Sequence, residues 1–305
     1  MGRRKSREPL GHDHAHPSRG HNRQRLVAVL VLTALVLAVQ AVGGLLTGSL
    51  ALLADAGHLL TDVVGLGLAL FAMKVAERPP TEARTYGYHR VEILAALVNG
   101  AVLVGICFFI LYEALERFRD PPAVASGGML ALGVLGLGVN LAGVFLLRPG
   151  SRDSLNVKGA YFEVLSDTLS SLGVIVAALV MWTTGWYYAD PIVSAGIGLF
   201  ILPRTWSLLR EAVHVLLEGA PAHIELAEVR RAIEGVTGVE RVHDLHVWTL
   251  TSHSHVLTAH AVITPGASDS EVLGAIRETI TARFEIGHVT IQVERQGCEG
   301  TELHV

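Results

Sequence analysis

Apolar and polar positions along this chain are patterned on two scales. Between residues 26 and 212 the apolar positions gather into long runs at 26–47, 50–75, 91–116, 124–147, 158–183 and 190–212, divided by polar loops. Each run reaches about the 20 residues a helix needs to cross a bilayer. The pattern predicts an α-helical membrane protein with six transmembrane helices over residues 26–212. After Gly219–Pro221 the scale shortens. Residues 224–234 and 270–284 repeat with a helical period, whereas 239–248, 255–263 and 289–294 read as strands. The order αββαβ predicts a C-terminal cytoplasmic α+β domain, ferredoxin- or metallochaperone-like, over residues 213–305. Residues 1–25 show no apolar period and are expected to form a disordered cytoplasmic arm bearing His12, His14, His16 and His21. That arm either captures metal loosely or is a solvated tail.

Finer features refine the helices. Pro203 interrupts the sixth run, which predicts a kink or the end of the membrane part, then an amphipathic continuation from Ser207 to Glu218. Small residues such as Gly43, Gly133, Gly136 and Gly143 allow close helix packing, and Gln40, Asn99, Asn140 and Ser166 read as interhelical hydrogen-bonding groups. Asp190, just before Pro191, reads as the cap of its own helix.

Composition supports the membrane reading. Half of the 305 residues are hydrophobic, too many for an ordinary soluble domain and spread too far for one span. The net charge of −4 is uninformative because the charges are segregated, and no nucleic-acid partner is implied. Arg3, Arg4, Lys5 and Arg7 precede the first run, Lys74, Arg78, Arg84 and Arg90 follow the second, and Arg148, Arg152 and Lys158 follow the fourth. The positive-inside rule then predicts cytoplasmic N- and C-termini, as for a multi-pass protein of a bacterial inner or plasma membrane. Cys107 and Cys298 offer no disulfide framework. The polar, His-rich start lacks the apolar core of a cleaved signal peptide, so the first run is expected to be retained.

Chemistry enters where ionisable residues interrupt these runs. His58 and Asp62 stand four apart in the second run, and Glu163 and Asp167 four apart in the fifth. On a helix each pair shares one face, so two helices offer four ligands, enough for a tetrahedral metal site. The bland alternative is two buried polar contacts tying helices together, but ionisable residues at membrane depth are functional by default. Asp55, three residues before His58, is either an outer partner orienting the imidazole, a proton relay, or a helix-packing group.

The segments Gly43–His58, Arg84–Asn99, Asn156–Asp167, Leu216–Pro221 and Val242–Trp248 together resemble the cation diffusion facilitator family, over residues 26 to about 294. The resemblance implies a homodimeric exporter that moves zinc and similar divalent ions, cadmium and cobalt among them, out of the cytoplasm in exchange for protons. It also implies a transport site on the second and fifth helices, with His58, Asp62 and Asp167 at matching positions and Glu163 where many zinc-selective members have His. In the cytoplasmic domain it implies metal ligation by His243, His260 and Glu294, with His288 a looser match and His246, His253 and His255 as further candidates. Gln40 stands where many relatives have an acid, and residues 150–157 lack the His-rich loop many of them carry.

Ligand chemistry then suggests the mechanism. One imidazole and three carboxylates around a divalent ion leave a net charge of about −1, and without metal three negative charges would sit in a poorly solvated place. Protons must replace the metal, which makes antiport the natural consequence. The oxygen-rich set is hard, which weakens preference for zinc against cobalt, cadmium, manganese or iron(II), although zinc still leads. Two other classes retain the same ligands: a membrane metal sensor without flux, and a membrane metalloenzyme. The second is disfavoured because no HExxH motif and no paired nucleophile and base accompany the four ligands, so no catalytic cofactor is expected.

Overall fold

A computed structural model describes residues 17–149, 155–251 and 254–295. Six long helices come first: α1 (Pro17–Thr47), α2 (Leu50–Ala76), α3 (Val91–Arg119), α4 (Ser126–Leu147), α5 (Leu155–Thr184) and α6 (Ala189–Leu216). Each contains a stretch long and apolar enough to cross a membrane. There follow α7 (Leu226–Glu234), β1 (Val239–Thr251), β2 (Ser254–Ile263), α8 (Asp269–Phe284) and β3 (His288–Glu294), the expected αββαβ order. Residues 1–16 of the N-terminal arm, with His12, His14 and His16, lie outside the described residues, as do His253 and Cys298. The rest of the arm differs from expectation, since Pro17 onward already belongs to α1. α6 runs through Pro203 to Leu216, over most of the continuation expected beyond that proline.

The described residues form two compact units. One holds residues up to Val63 together with Ile110–Gly198. Within it α1, α4 and α5 pack on one another. Gly43 makes one approach possible: a Cβ there would stand 2.1 Å from Leu132 Cδ1. Polar ties join α1 to α2 and α4 to α5. Gln40 Nε2 donates to Asp55 Oδ2 at 2.8 Å, and Asn140 Nδ2 donates to Ser171 Oγ at 3.1 Å. Ser166, by contrast, bonds back to the Phe162 carbonyl of its own helix.

Asp190 does something the sequence did not suggest. Its buried carboxylate accepts hydrogen bonds from Ser49 Oγ at 2.7 Å, Leu50 N at 2.8 Å and Ala51 N at 3.1 Å. It therefore caps the start of α2 from a distant part of the chain, rather than its own helix. Helix starts leave N–H groups without partners, and a carboxylate there also meets the positive end of the helix dipole. Arg117 joins the knot, 3.3 Å from Asp190 and donating to the Gly48 carbonyl at 2.7 Å. Gly48 has φ +72°, the left-handed conformation that a glycine takes freely in this two-residue turn.

The other unit holds Val64–Phe109 and the chain from Leu199 onward. Its sheet has the order β1-β2-β3, with β1 antiparallel and β3 parallel to β2. A parallel pair needs a crossover, and α8 supplies it. Val229, Ile233, Leu257, Ile276, Ile280 and Ile286 fill the core between the sheet and α7 and α8. In this unit Thr251 donates to Glu92 near the start of α3, and the Tyr86 ring meets the His288 ring edge-on at 5.5 Å.

Candidate metal centres

The first cluster lies where α2 and α5 bring the two four-spaced pairs near each other. His58 Nδ1 is 3.6 Å from Asp62 Oδ2, and His58 Nε2 is 3.5 Å from Asp167 Oδ1. One ligand atom from each of the three lies within 4.8 Å of the other two. A metal takes one nitrogen of an imidazole, and the two His58 distances run from opposite ring nitrogens, so they place His58 between the two carboxylates; the 4.8 Å limit on one donor from each residue is what makes the group a candidate for one divalent ion. His58 and Asp167 are buried and Asp62 is half-buried. Glu163 is not in that group. It is half-buried one turn earlier on α5, a displacement of about 6 Å along the axis at 1.5 Å per residue. Asp55 is 1% exposed, is held by Gln40, faces Ser171, and lies within electrostatic range of His58 and Asp62. It backs the cluster rather than joining it.

The second cluster is on the sheet. His243 and His260 are register partners on β1 and β2, and Glu294 ends β3 on the far side of β2. Glu294 grips both rings: its Oε2 is 3.0 Å from His243 Nε2 and its Oε1 is 3.0 Å from His260 Nδ1. The two rings meet edge-on at 5.1 Å. Donor types and spacing suit a divalent cation, with two imidazoles and a carboxylate inside the same 4.8 Å limit. His288 lies outside this group because it is six residues from Glu294 on the same strand, about 20 Å at 3.3 Å per residue. Its ring packs on Tyr86 instead.

His255 is also apart. It lies 5.2 Å from the His223 ring and 3.3 Å from Thr249 Oγ1, and burial together with the neighbouring His223 lowers its pKa below the ordinary imidazole value. By residue type Asp244 is one more possible metal ligand of this domain, and the structure joins it to the histidines. Its carboxylate is 2.9 Å from His246 Nε2 and 3.6 Å from His260 Nε2.

Known proteins carry the same arrangement of domains. A family profile described as the cation efflux transmembrane domain matches residues 26–217, and one described as the cation efflux protein cytoplasmic domain matches residues 221–296. The chain belongs to the cation efflux family. The metal cation efflux system protein CzcD of Cupriavidus metallidurans is 47% identical over 290 residues, covering 95% of this chain and 91% of that protein. The cadmium, cobalt and zinc/H(+)-K(+) antiporter of Bacillus subtilis is 40% identical over 292 residues, 94% of this chain and 93% of that protein. A solved metal-bound C-terminal domain of CzcD from Cupriavidus metallidurans is 42% identical, covers 23% of this chain and 99% of that one, and has a TM-score of 0.23. This cation efflux family member is thus a multi-pass membrane protein, and its relatives are transporters rather than enzymes.

Proposed function

We propose that this protein exports divalent metal cations from the cytoplasm in exchange for protons by alternating access. Zinc is the leading substrate, cadmium and cobalt follow, and manganese and iron(II) are weaker ones. The observation that carries the reading is the convergence of His58, Asp62 and Asp167 from two membrane helices, with one donor atom from each within 4.8 Å of the others. The name of the Bacillus subtilis relative supports zinc, cadmium and cobalt.

His58, Asp62 and Asp167 are the ligands of the transport site, and Glu163 is the fourth donor, reaching the ion when the helices shift along one another. Imidazole must be neutral and the carboxylates ionised to bind, so each metal released leaves basic groups that take up protons. The net charge of the site then changes little between its two loads, which is what lets it cross a low-dielectric region in either state. Asp55, held by Gln40, keeps α2 in register behind the site or relays a proton to it. The protein works as a homodimer in a bacterial inner or plasma membrane with both termini in the cytoplasm. In the cytoplasmic domain His243, His260 and Glu294 would hold a resident divalent ion, which would supply a positive centre among the three strands.

The test is uptake of zinc, cadmium, cobalt and manganese into sealed proteoliposomes, with and without an imposed pH gradient. Gradient-driven flux that disappears in Asp62→Ala and in Asp167→Ala, each still a folded dimer, is the expected result. Wild-type flux in either variant overturns the site assignment, and binding without flux for any metal favours a membrane sensor.

A further inference from the structure

The backbone of β1 is distorted at one place, beside the cytoplasmic cluster. His243 pairs with His260 and His246 with Thr258, so Asp244 and Leu245 together oppose the single residue Ala259. This is a β-bulge, a device that re-aims a side chain where regular alternation would send it to the other face. Asp244 itself has φ +50°. Only glycine takes that conformation freely. A non-glycine residue there is strained, and such strain persists where the surroundings over-determine it.

The distortion points the Asp244 carboxylate at two histidines. Oδ1 is 2.9 Å from His246 Nε2, and Oδ2 is 3.6 Å from His260 Nε2. His260 thus lies between two carboxylates: Glu294 faces its Nδ1 and Asp244 faces its Nε2. An imidazole that binds a cation through one nitrogen carries its proton on the other, and an acceptor facing that second nitrogen fixes both tautomer and ring orientation. At 3.6 Å the Asp244 contact is electrostatic, and a shift of about 0.6 Å, within ordinary thermal displacement, brings it to hydrogen-bond length.

We propose that Asp244 is a positioning residue for the cytoplasmic metal centre, holding His260 with its Nε2–H outward so that Nδ1 is presented to the cation beside His243 and Glu294. The inference rests on the reading of those three residues as metal ligands. Charge agrees with it. Two neutral imidazoles and one carboxylate leave a divalent ion at about +1, and Asp244 supplies the remaining negative charge. His246, on the outer side of Asp244, holds the carboxylate from behind.

The strain makes a clean test, because the role costs stability. The full-length protein in lipid nanodiscs, carrying Asp62→Ala and Asp167→Ala to remove transport-site ligands, is titrated with cobalt(II) by its visible absorption. Thermal unfolding of the metal-free protein is followed in parallel. Adding Asp244→Gly is expected to weaken cobalt binding about 10- to 100-fold and alter its spectrum, while raising the unfolding temperature of the metal-free protein because glycine accepts φ +50°. Asp244→Asn, which tolerates the same backbone and keeps an acceptor oxygen, should fall between. Unchanged cobalt affinity in Asp244→Gly overturns the proposal. Weaker binding accompanied by a lower unfolding temperature also overturns it, by making Asp244 a structural residue. His243→Ala in the same background separates the two claims: if it leaves cobalt binding untouched, the metal centre itself is wrongly placed.

Discussion

At the scale of single residues, the two four-spaced pairs were legible as pairs because their spacing is local. A four-residue offset fixes two side chains on one helix face whatever surrounds them. Which of the four groups meet is a different matter. His58, Asp62 and Asp167 come together while Glu163 stands a turn away, and that depends on how far α2 and α5 slide along one another, which no local pattern encodes. If Glu163 tunes the site as a hard fourth donor, Glu163→His should move selectivity toward zinc and away from manganese, read as a several-fold change in the ratio of their uptake rates. An unchanged ratio would place Glu163 outside the transport site. Asp244 could be read as a possible ligand by residue type, but its place between two histidines hangs on a φ angle and a bulge. His255 makes a separate prediction. Its folded pKa is depressed, so the unfolded chain binds the proton more tightly. The stability this residue contributes is present above the unfolded imidazole pKa, about 6.5, and is lost as pH falls toward the folded value. His255→Gln should flatten that part of the decline in a thermal melt between pH 7.5 and 5.5, with His223, the neighbouring ring, left in place.

At the scale of elements, the six apolar runs and the αββαβ order could be read directly, because length, period and turn residues are properties of contiguous sequence. The knot at the start of α2 could not. Ser49 and Asp190 are separated by 141 positions, and an acid before a proline looks like the cap of its own helix. α2 carries His58 and Asp62, so the knot anchors the helix that carries half of the proposed ligands. Asp190→Ala strands two backbone N–H groups and the Ser49 hydroxyl, and leaves Arg117 without one of its carboxylates. Loss of a buried charged partner costs about 3–5 kcal/mol. The double substitution Asp190→Ala with Arg117→Ala distinguishes capping from charge balance. Capping predicts that the double variant stays within about 1 kcal/mol of Asp190→Ala, whereas charge balance predicts substantial recovery. Chemical denaturation in detergent, followed by helical circular dichroism, reads either result.

At the scale of the whole molecule, the apolar faces of α1 to α6, with Phe108, Phe109, Phe145 and Trp182 among their exposed side chains, would be untenable in water and are what a bilayer covers. The sheet of the C-terminal domain has its own core, so a cation held at the proposed cluster would act on transport through contacts that reach a membrane helix. One such contact is within the second unit: Thr251, at the end of β1, donates to Glu92 in the first turn of α3. β1 is also the strand that carries His243 and Asp244. His243, His260 and Glu294 would hold the cation across β1, β2 and β3, which would tighten β1 against β2, and β1 ends at Thr251, the residue that holds Glu92. If cytoplasmic binding promotes transport through this strand, His243→Ala should raise the zinc concentration for half-maximal flux at least about fivefold, the low end of typical coupling between sites, and leave maximal flux intact. Thr251→Val should produce the same shift while binding cobalt in the cytoplasmic domain as the wild type does, because it removes the connection and leaves the ligands. Two results separate the alternatives. A shift in His243→Ala but not in Thr251→Val means that the cation acts through a route other than β1 and Glu92, and the absence of a shift in either means that the cytoplasmic ion stabilises the domain without regulating flux.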